Sequence, residues 1–274
     1  MIRKLARHTV EKVWGVEKLP EPFDHDSPER IGEVWFDPPP ELQQLLVKFI
    51  FASERLSVQT HPDDAQARTM GLGTNGKSEC WIIVDAAPDA VIAAGFKSAM
   101  AIEDVRSAAM DGSIVDRLVW HKVKRGDVFY IPAGTVHAIG GGVGLIEVQQ
   151  NSDITFRLFD YGRPRELHLD AGLQVASCEP YADENRSRID GDTGLLVDGP
   201  HFSLSFARCA GGRAVDLTDS QSTLIIPYAG TVRFGDEVLE VGDCAVTQQG
   251  SAVTLSGDGI ALIAKPKIPP QDAS

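Results

Sequence analysis

The sequence predicts an all-β protein, built as a sandwich or barrel and arranged in two barrel-like halves. Three observations carry this reading. Most of the chain consists of short β-branched and aromatic runs, broken by Gly, Pro and Asp at the spacing of such folds. Only one stretch, near residues 98–116, has a convincing helical period. Residues Gly126 to His137, GDVFYIPAGTVH, read as a strand, a reversal forced at Pro132-Ala133-Gly134, and a second strand.

Composition narrows the class. At 274 residues, the chain can bury one full core or two small ones, and 43% hydrophobic with 24% charged residues is ordinary for a globular protein. The opening MIRKLARHTVEKVWG lacks the apolar run of a signal peptide. No segment approaches the ~20 apolar residues of a membrane span. Cys80, Cys178, Cys209 and Cys244 form no C-x-x-C pair, which argues against a thiolate zinc site and a disulfide framework. A reducing, cytoplasmic setting without a membrane partner is therefore expected. The formal net charge of −13 excludes nucleic acid as a partner, because no basic stripe exists to displace phosphate counterions. An anionic ligand would have to be met by a local cluster of Lys and Arg.

Taken in order, residues 1–40 are Pro-rich and read as irregular, with one early strand at 32–36. A continuous apolar strand follows at 45–51, then another at 56–61. Residues 63–70 suggest one or two helical turns started by Asp63 or Asp64. Strands are expected at 78–84 and 90–94. The helix at 98–110 places Ile102, Val105 and Ala109 on one face, and Gly112 suits its stop. Strands return at 118–124, 127–131, 135–139, 143–149 and 153–160, with Gly140-Gly141-Gly142 as a hairpin turn. Residues 1–177 form the first unit, with the helical insertion inside it. The polar, turn-rich stretch 178–200 reads as a connection. A smaller unit at 201–265 follows, in which Gly242-Asp243 echoes Gly126-Asp127 without the Pro-x-Gly-x-x-His sequel, so no metal site is expected there. The tail after Lys265 is expected to fray.

The chemistry gathers at four positions. Gln59 and His61, two apart on a strand, share a face. Glu79 begins a neighbouring strand, and His137 closes the spacing G-x5-P-x-G-x2-H. Two imidazoles, a carboxylate and an amide oxygen can surround one divalent ion; the set suits zinc and admits manganese, iron or cobalt. Singly, each has a bland reading. His61 would be a turn residue before proline, Gln59 merely polar, and Glu79 half of a solvated pair with Lys77. Together they point to a metal.

The segments LSVQTHPDD, GKSECW, YIPAGTVHAI and EVQQNSDITFRLFDYGR, with KVWG near residue 12 and IGEVW near residue 31, resemble the type I mannose-6-phosphate isomerases, in their short bacterial form. These are zinc enzymes of the cupin superfamily, and the specific motifs cover about residues 10–165. The resemblance implies a double-stranded β-helix, or jelly-roll, whose second half lacks a metal site. It implies an aldose–ketose isomerisation between mannose 6-phosphate and fructose 6-phosphate. It places zinc on Gln59, His61, Glu79 and His137, makes Arg157 the active-site arginine, and puts Ser57 and Lys77 in the pocket. Longer members carry a sizeable helical domain where this chain has only 98–116, so the wall of the sugar pocket is left open.

Such a reaction moves a proton between C2 and C1 through an enediol, and a cation near the developing oxygen charge stabilises it. Lys77, two residues from Glu79, and Glu147, on one face with Gln149, are both candidates for the base, and the sequence does not choose between them. Arg157 shares strand parity with Asp153 and Thr155; its bland reading is an ion pair with Asp153 or Asp160. Ser57, Lys77 and Arg157 are candidate phosphate contacts, with Glu147 a further pocket residue. Two alternatives stand beside the isomerase of this substrate: a metal-containing cupin that binds a phosphosugar without catalysis, and an isomerase of a different phosphosugar. An iron dioxygenase is disfavoured because the first motif has Gln59-x-His61 in place of His-x-His.

Overall fold

The structure is a computed structural model that describes residues 2–23, 28–209, 214–218, 221–250 and 252–267; the tail expectation mostly lies outside them. Every ladder in its four sheets is antiparallel. A five-stranded sheet runs in the order Phe156–Phe159, Val58–Thr60, His137–Ile139, Val91–Phe96, Leu118–Lys122. It faces a seven-stranded sheet in the order Arg186–Arg188, Asp127–Ile131, Glu79–Ala86, Val143–Gln150, Leu45–Ala52, Ile31–Phe36, Arg7–Val16. These form the first jelly-roll half. The second is a six-stranded sheet with a four-stranded one, the latter holding Val215–Thr218, Ala252–Gly257, Val232–Phe234 and Glu237–Leu239.

The seven-stranded sheet is the middle layer, and this explains its sequence. Leu45–Ala52 and Val143–Gln150 are buried at every residue. A strand covered on both faces reads as an unbroken apolar run, not an alternation. One face of these strands (Val47, Phe49, Ile146, Val148, with Ile82 and Val128) packs on Phe202, Leu204, Leu224 and Leu262 of the second half. The other turns Lys48, Ile50 and Glu147 toward the first barrel's cavity. Polar residues within an apolar run therefore mark the functional side.

The two halves share a turn. Asp127 donates its N–H to the Lys124 carbonyl and takes the Lys124 N–H on Oδ2 at 2.9 Å; Asp243 does the same with Glu240, also at 2.9 Å. The glycines before them, Gly126 and Gly242, sit at φ 91° and 93°, where a side chain is strained. The Gly-Asp echo is thus a repeated piece of backbone.

Some expectations need correcting. Residues 7–16 form a ten-residue strand, not irregular chain; it lies at the sheet edge with half of its residues exposed, so it shows no apolar run. The helix spans Ile102–Asp111, starting later than expected, and Gly112 ends it at φ 83°. A further helix, Leu169–Val175, was not read from the sequence, because its short apolar set spans only two turns. The strand expected at 135–139 begins at His137, since Thr135 is still bonded within the turn to Pro132. That expected at 153–160 covers only Phe156–Phe159. The stretch 178–200 contains two strands, Arg186–Arg188 on the first half and Thr193–Asp198 on the second. The chain's first strand, Ile2–Lys4, pairs with Ala245–Thr247 of the second half.

Candidate metal centre

Two sheets deliver the polar residues to one place. In the five-stranded sheet, His137 is directly opposite Gln59, and Gln59 is directly opposite Arg157. Directly paired residues project from the same face, so these three side chains stand in a row. In the seven-stranded sheet, Glu79 pairs with Gln149, Trp81 with Glu147, and Glu147 with Lys48. His61 follows the strand end, its backbone carbonyl accepting the N–H of Gly134. The reversal at Pro132-Ala133-Gly134 is thereby tied to the loop carrying His61. Gly134 sits at φ 86°, so glycine is needed for that turn.

The donors converge. His61 Nε2 is 3.5 Å from Glu79 Oε2, His137 Nε2 is 3.4 Å from Glu79 Oε1, and all three side chains are buried. Each imidazole places Nδ1 2.8 Å from a backbone carbonyl, that of Ile154 for His61 and that of Thr135 for His137. In the neutral ring this carbonyl takes the Nδ1 proton and leaves the Nε2 lone pair facing inward, the tautomer a metal requires. Burial pushes the His61 pKa well below the usual imidazole range, and pushes that of His137 down to about 4. Apart from a 2.8 Å ion pair between Lys77 and Oε2, neither oxygen of Glu79 has a hydrogen-bond donor. A fully buried carboxylate facing two imidazole nitrogens is a set that fits a divalent cation, and the Lys77 ammonium stands 3.4 Å from one of them, His61 Nε2. Gln59 adjoins it, its amide nitrogen 3.3 Å from His137 Nε2 and its oxygen accepting from Ser57 Oγ at 3.2 Å. Among the described residues no other such group exists, and none lies in the second half.

The buried histidines make a pH prediction for the protein stripped of metal. A folded pKa near 4 against about 6.5 unfolded means the unfolded chain binds more protons in that interval, so stability falls as pH drops through it. His137 alone should cost about 3 kcal/mol between pH 7 and pH 4. Urea unfolding of chelated protein across this range checks it; flat stability would show His137 is not buried neutral.

Beside the donors lies a cavity of about 380 Å³. Ser57, Gln59, Lys77, Glu147 and Arg157 line it, as do Asp153 and Thr155, which the parity argument put on the same side. Asp160 is taken by Arg165 in two bonds of 2.6 and 2.7 Å, so it is not the partner of Arg157, whose Nε is buried without one. Glu147 receives the Trp81 indole N–H at 3.0 Å on Oε2, while Lys48 and Lys77 stand 3.6 and 3.8 Å from Oε1. Burial, then the Glu79 charge, raises the Glu147 pKa. Burial opposes the charge on Lys77, but the carboxylates of Glu147 and Glu79 outweigh it and raise its pKa.

Sequence reasoning missed part of the wall. Lys48 is fully buried, its ammonium 4.0 Å from the Trp35 ring centroid, and Glu33 joins Lys12 and the Trp35 indole at 3.1 and 2.8 Å. A lysine within LLVKFIFA was the available signal, because a charge is not buried in a two-sided strand without a partner. His168 and Arg165 complete the wall from the loop after the Arg157 strand.

Comparison with known proteins points in one direction. No family model matches the chain. It is 45% identical over 170 residues to mannose-6-phosphate isomerase ManA of Bacillus subtilis, covering 58% of this chain and 54% of that protein. The match thus spans about half the length of that relative. With the mannose-6-phosphate isomerase of Streptococcus mutans the identity is 32% over 237 residues, 71% of this chain and 74% of the other. The crystal structure of the Bacillus subtilis mannose 6-phosphate isomerase superposes with a TM-score of 0.81 at 26% identity, over 96% of this chain and 98% of that one. A zinc-bound mannose 6-phosphate isomerase structure gives 0.74 over 97% and 100%, at 15% identity, a likeness of fold.

Proposed function

The chain belongs to the mannose-6-phosphate isomerase family, and on that premise we propose that it interconverts mannose 6-phosphate and fructose 6-phosphate with one zinc ion. The observation that carries this is the buried His61–Glu79–His137 group, with Gln59 and Lys77 between it and a cavity that Glu147 and Arg157 also line. Gln59, His61, Glu79 and His137 would hold the ion. When bound, it supplies Lewis acidity that polarises a sugar oxygen.

The protein's own groups take the remaining roles. Glu147, raised toward neutrality by burial, suits the carbon proton: it removes hydrogen from C2 of the open aldose and returns it to C1 of the enediol. Lys77, held charged by its two carboxylate neighbours, sets its ammonium against O1 and O2, giving a proton to O1 and taking back the one that O2 loses. Arg157, with no competing carboxylate, sets a fixed positive charge beside the oxygen that becomes negative. Ser57 orients the Gln59 amide through its hydroxyl. The phosphate, on a chain of net charge −13, would be met by a cation of the cavity wall not engaged at C1 and C2, such as Arg165.

Purified protein given mannose 6-phosphate should form fructose 6-phosphate, lose this activity on chelation and regain it on adding zinc. Absence of product from fully metallated protein would eliminate the isomerase reading and leave a phosphosugar-binding protein. Running the assay with other aldose 6-phosphates measures how narrow the substrate range is. No helix among the described residues is long and apolar enough to cross a membrane.

A further inference from the structure

Asp63 and Asp64 stand together at the start of the short helix Asp64–Thr69, but only Asp63 caps it. Asp63 accepts the Gln66 N–H at 2.7 Å, and Gln66 returns the bond to the Asp63 N–H at 2.9 Å. Asp64 is left over, and its carboxylate does something else. Its Oδ1 accepts the backbone N–H of Gly76 at 2.7 Å and the side-chain amide of Gln150 at 2.8 Å. Gln150 in turn uses Oε1 to accept the backbone N–H of Ser78 at 2.8 Å. Between Gly76 and Ser78 lies Lys77, whose own N–H goes to the Pro62 carbonyl at 2.9 Å. Three consecutive backbone donors are therefore tied down around one lysine.

The fit is close as well as bonded. A Cβ on Gly76 would come within 2.4 Å of the Asp63 backbone carbon and 2.5 Å of the Pro62 carbonyl oxygen, so the segment lies flush on the His61-Pro62-Asp63 loop. Gln150 is buried and Lys77 is buried. Lysine has four rotatable bonds and no preferred direction of its own. With its backbone held on both sides, the ammonium lands 2.8 Å from Glu79 and 3.8 Å from Glu147.

We propose that Asp64 and Gln150 are positioning residues that aim Lys77 into the reaction cavity. The pair acts only through Lys77 and touches neither substrate nor ion. Its importance for turnover rests on the isomerase reading; its hold on the backbone does not. The far oxygen of Asp64 faces His201 of the second half at 3.8 Å, so the second half abuts the clamp.

Two arms test it. In the first, zinc-loaded Asp64→Ala and Gln150→Leu should each lose about 10–100-fold in kcat for mannose 6-phosphate, with KM within about threefold and zinc content unchanged, as expected for displacement of a reacting group by about 1 Å. Asp64→Asn, which keeps an oxygen acceptor, should recover to within about threefold of wild type. In a Lys77→Met background, Asp64→Ala should cost nothing further, because coupled groups are not additive. Unchanged kcat in both single variants, or losses that multiply in the Lys77→Met background, would overturn the proposal. The second arm needs no turnover: hydrogen exchange at the Gly76 and Ser78 amides should speed up at least about tenfold in Asp64→Ala and Gln150→Leu respectively, and unchanged protection would overturn it. If wild-type protein shows no isomerase activity, the functional reading fails on its own, and the exchange arm still decides whether the clamp exists.

Discussion

Replacing His137 by alanine is expected to strip the metal and abolish turnover together. Loss of a hydrogen-bonding partner behind a metal ligand costs about 10–100-fold in affinity, and loss of the ligand itself should exceed that. His137 is wholly buried, and its Nε2 faces Glu79 Oε1 at 3.4 Å, so no solvent molecule on an exposed surface can take its place cheaply. The substitution also frees the Thr135 carbonyl and leaves a gap against the Trp81 ring, whose centroid is 5.3 Å away. Some loss of thermal stability should accompany the loss of metal. Metal analysis after dialysis, beside the isomerase assay, checks this. Full zinc occupancy in the variant would remove His137 from the ligand set.

Arg157→Ala should behave oppositely with respect to the ion. Arg157 stands across the ladder from Gln59 but belongs to the cavity wall, and it makes no ion pair that its removal would disturb. Metal content should stay at one per chain. Turnover should fall about 10²–10³-fold, the usual cost of deleting one group that stabilises a developing oxyanion. Lysine at this position should rescue little, since a point ammonium does not reproduce the planar fork of guanidinium. A rate within a few-fold of wild type would refute the assignment and shift attention to Lys48, a deeply buried cation on the same wall.

Much of the centre was legible in the residues. The same-face spacing of Gln59 and His61, and the turn that aims His137, are local consequences of strand geometry and of glycine and proline, and local rules read well from sequence. The echo of Gly126-Asp127 at Gly242-Asp243 was equally local and reappears as the same hydrogen-bonded turn. What was hidden depends on long-range pairing. Nothing around Lys48 announces that Glu147 will be its neighbour on the next strand. The edge strand at residues 7–16 was invisible because its outward face is polar, and Asp64 looked like one more helix-opening acid until its partners at Gly76 and Gln150 were seen.

The pairing of Ile2–Lys4 with Ala245–Thr247 has a consequence for how the molecule is made. The segment that leaves the ribosome early must wait for a mate that leaves late, on the order of 10–50 s at ordinary translation speed. The metal-bearing barrel can close meanwhile, from residues that have already emerged. The smaller barrel cannot finish until the two distant strands meet, so deleting Ile2–Lys4 should leave nascent or refolding protein with an open, aggregation-prone rim on that barrel.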